Sequence, residues 1–87
     1  MNEHIKEELE GQLERYRKLY NVTTSWELIP EQDDLYLKIT FQAGQYRANR
    51  LERLDEISQS LESSQFIYLL CEYLIETLGF ERRGGYE

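Results

Sequence analysis

The stretch that decides the fold is residues 63–80, which read SSQFIYLLCEYLIETLGF. Apolar residues there cover most of a helix circumference, and the polar stripe at helical spacing consists only of Gln65, Tyr68, Glu72 and Glu76. A helix that is apolar on most sides is one that other parts of the protein surround. We therefore predict a long, buried C-terminal helix at the centre of the core, which Gly79 is suited to end.

A second helix is predicted over residues 3–20. Acidic residues stand in its first turns and basic residues in its last, so the side-chain charges oppose the helix macrodipole at both ends. Asn21 is a residue type that adopts the left-handed conformation at which helices stop. The apolar residues recur at steps of three or four, which predicts an amphipathic helix whose buried stripe is Ile5, Leu9, Leu13, Tyr16 and Tyr20.

Two strands are predicted between these helices. Residues 22–29 are rich in β-branched and aromatic side chains and are followed by Pro30, which we expect to end the strand. Residues 35–41 alternate between apolar and polar side chains, which is typical of a strand with one buried face. Together they predict an antiparallel hairpin with a loop of about four or five residues.

The stretch from residue 43 to residue 61 permits two interpretations. One is a third strand over residues 45–51, followed by a turn or short helix over residues 54–58; the other is a single helix through residues 46–61. The pattern favours the first. The predicted fold is thus a small two-layer α+β domain of residues 1–80, with a β-hairpin or three-stranded meander between two helices. Residues 81–87 are expected to form a mobile tail.

Composition narrows the classes of partner. The 87 residues include 17 acidic and 10 basic side chains, a net charge of −7, which argues against nucleic acid or an anionic membrane as the main partner. The acidic N-terminus does not resemble a signal peptide, and residues 63–80 are too short and too charged to span a membrane. The single cysteine, Cys71, lies in the most apolar helix, as expected of a buried thiol in a cytoplasmic protein.

The charges are arranged in blocks. Residues 38–53 hold four bases and one acid, whereas residues 54–81 hold six acids and no base. Blocks of opposite sign indicate elements, or subunits, that face each other. A small sheet with helices on one face also leaves an open face and an exposed edge strand, where a partner or second copy can bind. We therefore expect a homodimer.

Aromatic and basic residues are the candidates for binding another protein. Tyr and Trp are enriched at interfaces because they provide large contact areas at low entropic cost. The predicted partner-binding residues are Trp26, Tyr36, Tyr46, Arg47 and Arg50. Tyr68 is also expected to be partly exposed, whereas Tyr16, Tyr20 and Tyr73 are expected in the core. The arginines, with Arg53, are expected to pair with acids inside the fold; a phosphate or acidic-partner site is the alternative.

Acidic residues define a second candidate surface on the first helix and the hairpin loop, made of Glu7, Glu14, Glu31, Asp33 and Asp34. Such a surface could imitate a nucleic-acid backbone and occupy a basic groove on a target protein. The interpretation we favour is a non-catalytic protein-interaction module. Size and charge suggest an acidic inhibitor or regulator of the kind carried by phages and other mobile elements, and the nucleic-acid mimic is the alternative.

Catalysis has one weak candidate, the carboxylates of Glu72 and Glu76, which are one helical turn apart. A metal site would need converging ligands, and the only histidine, His4, is on the other helix. The expected role of Glu72 and Glu76 is a solvated stripe on an otherwise buried helix. We predict no enzyme activity, no metal and no cofactor.

Overall fold

A computed structural model of the chain describes residues 3–58 and 63–80, so the predicted tail at residues 81–87 lies outside the described residues. The elements in order are α1 (Glu3–Tyr20), β1 (Thr23–Glu31), β2 (Asp34–Ala43), β3 (Tyr46–Arg53), α2 (Leu54–Ser58) and α3 (Ser63–Thr77). The strands form one antiparallel sheet in the order β1-β2-β3. The predicted α+β class is confirmed, with the three-stranded form of the sheet.

The core lies between the sheet and the two long helices, which pack on the same sheet face. The apolar stripe of α1 is buried as predicted, except that Tyr20 is only partly buried. Every second residue of β2 points into this layer, and the ring of Phe41 lies 5.9 Å from that of Tyr16. The fully buried residues of α3 complete the core; they are Ile67, Cys71, Leu74 and Ile75.

The first hairpin differs from its prediction in two ways. β1 continues through Pro30 to Glu31, so the prediction that Pro30 ends the strand is wrong. Pro30 is tolerated because β1 is an edge strand, where a missing N–H need not interrupt a ladder. The loop is also shorter than expected: Glu31 pairs with Asp34, and Gln32 reaches a φ of 56° in the two-residue turn between them. A positive φ at this position matches the twist of the strands.

The ambiguous stretch forms a strand and then a short helix, and the alternative of one helix through residues 46–61 is wrong. Gly44 makes the second tight turn with a φ of 62°, and Ala43 pairs with Tyr46 across it. Both predicted helix stops are confirmed. Asn21 has a φ of 57° after α1, and Gly79 has a φ of 98° after α3. These left-handed residues end the helices and turn the chain toward β1 and toward Phe80, respectively.

The exposed side of α3 is rotated relative to the prediction. Tyr68 is half-buried and Glu72 is buried, whereas Leu69 and Tyr73 are exposed. The prediction that Tyr73 belongs to the core and Glu72 to a solvated stripe is therefore wrong. The rotation is roughly half of the ~100° between successive helix residues. Because the apolar residues of α3 cover most of its circumference, their spacing does not determine which side of the helix faces solvent.

The buried thiol of Cys71 predicts a loss of stability at high pH. Burial raises its pKa from 9.0 to about 12. The unfolded chain therefore releases this proton first, so stability present below pH 9 should fall between about pH 9 and pH 12, by at most about 1.4 kcal/mol per pH unit. Urea unfolding at pH 8, 9.5 and 11 should show a steeper decline for the native chain than for Cys71→Ala. Parallel pH profiles of the two proteins would contradict this prediction.

Candidate functional site

The β3 edge is one of the two outer edges of the sheet and the one better suited to add another strand. The other edge, β1, contains Pro30, which cannot donate a backbone hydrogen bond. The β3 strand, Tyr46–Arg53, contains no proline and pairs along its whole length with β2 on one side only. Within residues 3–58 and 63–80 no strand pairs with its outer side, which therefore offers an edge for an additional strand.

A groove runs between β3 and α3 on the helix-bearing face of the sheet. It has a volume of about 330 Å³, and its walls, which define the β3–α3 groove, are Arg50, Glu52, Phe66, Leu69, Leu70 and Tyr73. Leu69 is 52% exposed and Tyr73 is 48% exposed, although both are large apolar or aromatic side chains. The groove therefore offers an accessible apolar wall directly beside an open strand edge.

Arg50 joins the two walls of the groove. Its guanidinium carbon lies 4.5 Å from the centre of the Tyr73 ring, a cation–π arrangement. Its Nε donates a hydrogen bond of 2.8 Å to Oε2 of Glu52, and this bond raises the pKa of Arg50. Since Arg50 and Glu52 lie two residues apart on the same side of β3, the strand presents a positive and a negative group side by side at its edge.

Leu51 adds an apolar contact on the opposite side of the same strand. The register with β2 places it on the sheet face without helices, and it is 43% exposed. Among the described residues, five large apolar side chains are exposed, and four of them belong to β3 or α3. Tyr46 begins β3 at the second hairpin turn, whereas Leu51, Leu69 and Tyr73 lie on or beside the part of β3 that borders the groove. Exposed apolar groups that collect at one place are typical of a contact surface.

Comparison with protein-family models, with curated proteins and with solved structures gave no match to this chain.

The predicted partner-binding residues do not form one surface. Tyr36 and Arg47 lie on the open face of the sheet, where Arg47 donates two hydrogen bonds to Gln42. Trp26 and Arg50 lie on the helix-bearing face, since both pair with the core residue Ile39. Tyr46 is highly exposed at the second hairpin turn. Trp26, Tyr36, Tyr46 and Tyr68 are all at least partly exposed, as expected, but only Arg50 belongs to the β3–α3 groove.

The predicted acidic surface is partly neutralised. Glu14 accepts a hydrogen bond from Arg17 and lies 3.5 Å from Lys18, and its pKa is lowered by these bases. Asp34 pairs with Arg53 across the sheet at 3.4 Å. The other three carboxylates of this surface, those of Glu7, Glu31 and Asp33, are exposed. Arg50 and Arg53 pair with the acids Glu52 and Asp34 of the same chain, as expected, whereas the hydrogen bonds of Arg47 go to Gln42 and not to an acid.

The candidate carboxylate pair is separated by the structure. Glu76 is exposed, whereas Glu72 is buried between α3 and α1 and accepts a hydrogen bond from the hydroxyl of Tyr16. Burial, and then this bond, raise the pKa of Tyr16. Within residues 3–58 and 63–80, no three His, Cys, Asp or Glu side chains converge as a metal site would require. No helix in this part of the chain is long and apolar enough to cross a membrane.

Proposed function

We propose that this protein is a non-catalytic protein-binding module that acts in the cytoplasm and binds through the β3 edge and the β3–α3 groove. The observation that carries the proposal is that the exposed side chains of Leu51 on β3 and of Leu69 and Tyr73 on the adjacent α3 lie beside the same outer edge of the sheet. Covering such side chains is favourable by about 25 cal/mol for each Å² of apolar surface removed from water. The edge adds directional backbone hydrogen bonds, which restrict how a partner can align.

The partner that fits this surface presents an extended segment. Its backbone would continue the sheet beyond β3, and alternate side chains would enter the β3–α3 groove. The apolar wall formed by Leu69 and Tyr73 suits an apolar or aromatic side chain. The neighbouring charges of Arg50 and Glu52 favour a segment with an acid and a base at matching positions.

An acidic inhibitor and a nucleic-acid mimic are two more specific proposals for what such a binding module does. Both need a concentrated negative surface, whereas Glu14 and Asp34 are paired with bases in this fold. Pairing weakens the long-range field that would steer a mimic into a basic groove. The apolar edge therefore has the stronger support, and a mimic is distinguished by binding that weakens steeply with added salt.

The proposed surface predicts site-specific photo-cross-linking in cells. We expect benzoylphenylalanine in place of Leu69 to give a discrete protein adduct, because that position lines the groove. The matched control is the same substitution at Leu19, which is 42% exposed but lies on α1. Adding Tyr73→Ala to the Leu69 probe should reduce the adduct several-fold, since it removes the other exposed part of the wall.

Labelling of equal strength from both probe positions would contradict the proposed surface, as would the absence of an adduct at position 69. An adduct that persists undiminished with Tyr73→Ala would contradict it as well. Circular dichroism of each purified variant should match that of the native chain, which confirms that the comparison concerns the surface and not folding.

A further inference from the structure

We propose that the segment added to β3 is β3 of a second copy of this chain, in an antiparallel register centred on Leu51. The inference rests on the proposed function and specifies its partner. The result is a symmetric dimer with a continuous six-stranded sheet. The register follows from the residues that each possible two-fold axis would place opposite one another.

Symmetry limits the registers. In an antiparallel pair, opposed residues point to the same face, so a two-fold axis perpendicular to the sheet must pass through a residue position of β3. An axis at Arg50 would place Arg50 opposite its own copy, and an axis at Glu52 would do the same for Glu52. Like charges directly opposite each other destabilise a sheet.

An axis at Leu51 removes this conflict. It places Arg50 opposite Glu52 of the second copy, and by symmetry Glu52 opposite Arg50, so two pairs of opposite charge form. Leu51 then meets its own copy on the open face, where an exposed leucine is otherwise solvated. An axis at Asn49 would instead place Ala48 opposite Arg50, so that neither Arg50 nor Glu52 would face a residue of opposite charge. The order Arg50, Leu51, Glu52 is therefore self-complementary only about its centre.

The same axis accounts for the exposed side of α3. Because opposed residues keep their faces, both helix layers lie on the same side of the joined sheet. The β3–α3 groove borders the strand that forms the interface. Leu69 and Tyr73 of each copy consequently flank the axis, where they can cover one another and the paired charges beneath them. The dimer thus covers Leu51, Leu69 and Tyr73, on both faces of the sheet.

The dimer is tested first by sedimentation velocity and light scattering on the full chain. We expect a dimer for the native protein and for Leu19→Lys, and an association at least about 100-fold weaker for Leu51→Lys, because that variant opposes two ammonium groups at the axis. Leu19 is 42% exposed and Leu51 is 43% exposed, so Leu19→Lys is a matched control that places the same charge at an equally exposed position outside the proposed interface.

The register is tested by cysteine cross-linking, which does not depend on the lysine variant folding normally. Under mild oxidation Leu51→Cys should form a disulfide-linked dimer, because the two positions face each other at the axis. Asn49→Cys is the matched control on the same face of β3; its two copies would be roughly 13 Å apart along the strands, beyond the reach of a disulfide. Cys71 is fully buried and does not compete for the reaction.

A native chain that stays monomeric at about 1 mM would overturn the proposed dimer. A dimer that Leu51→Lys leaves intact would overturn the β3 interface, and cross-linking through Asn49→Cys instead of Leu51→Cys would overturn the register. If the chain is monomeric and the photo-cross-linking probe at position 69 still captures a different protein, this inference is overturned and the proposed function stands. A monomer whose probe captures no protein would overturn both the dimer and the proposed function.

Discussion

Replacing Leu74 with alanine should lower the free energy of unfolding by about 2–5 kcal/mol. Leu74 is fully buried on α3, the helix that packs against both α1 and the sheet. The substitution removes apolar contacts and leaves a cavity that surrounding elements can close only in part. Urea unfolding followed by circular dichroism would measure the loss. For a domain of this size such a change is a large fraction of the total stability.

Leu69→Ala is the matched control, since it makes the same change on the same helix at an exposed position. Its effect on unfolding should stay within about 0.5 kcal/mol when the chain is monomeric. Similar losses for the two variants would mean that the observed rotation of α3 is incorrect. In a dimer Leu69→Ala should weaken association, so the comparison belongs at a concentration low enough to keep the native chain monomeric.

The second large effect is expected at the hydrogen bond between Tyr16 and Glu72. Tyr16→Phe should cost about 1.5–3 kcal/mol of stability, because it removes a donor from a carboxylate that is buried between two helices. The ring remains, so its contact with Phe41 is retained and the loss reports mainly on the hydroxyl. The measurement is again the free energy of unfolding in urea at neutral pH.

Tyr46→Phe serves as the control for removing a tyrosine hydroxyl, since Tyr46 is highly exposed, and its effect should be near zero. Glu72→Gln keeps an oxygen that can accept from Tyr16, so it tests whether the charge or the hydrogen bond matters more. A Tyr16→Phe variant as stable as the native chain would show that this bond contributes nothing to the packing of α1 against α3.

Local sequence patterns were sufficient to predict those features of the backbone that depend only on neighbouring residues. The steps of three and four along α1 predicted its buried stripe, and Asn21 and Gly79 predicted where two helices end. For the same reason the pattern favoured a strand over residues 45–51 before a turn or short helix, and the structure has a strand over Tyr46–Arg53 followed by a short helix. Each of these features depends on residues within a few positions, so no distant contact is needed to specify it.

Predictions failed where a distant part of the chain supplies the missing interaction. Pro30 was expected to end β1, but its position at a sheet edge makes the lost N–H harmless. Glu72 was expected in water, yet Tyr16, 56 residues away, gives it a hydrogen bond inside the fold. Once Glu72 turns inward, Leu69 and Tyr73 turn outward. The candidate site is therefore a consequence of one long-range polar contact together with the packing of α3.

The chain alone predicted an amphipathic first helix, two strands and an apolar last helix, and it favoured a third strand with a turn or short helix over one long helix between them. Periodicity, turn residues and helix stops are local properties, and local free-energy preferences are enough to select them. The tertiary structure alone decided which side of α3 meets water, which strands form the edges, and that Arg50, Glu52 and Tyr73 share one groove. Those choices depend on which distant groups can be buried together, and spacing along a single helix or strand carries no information about them.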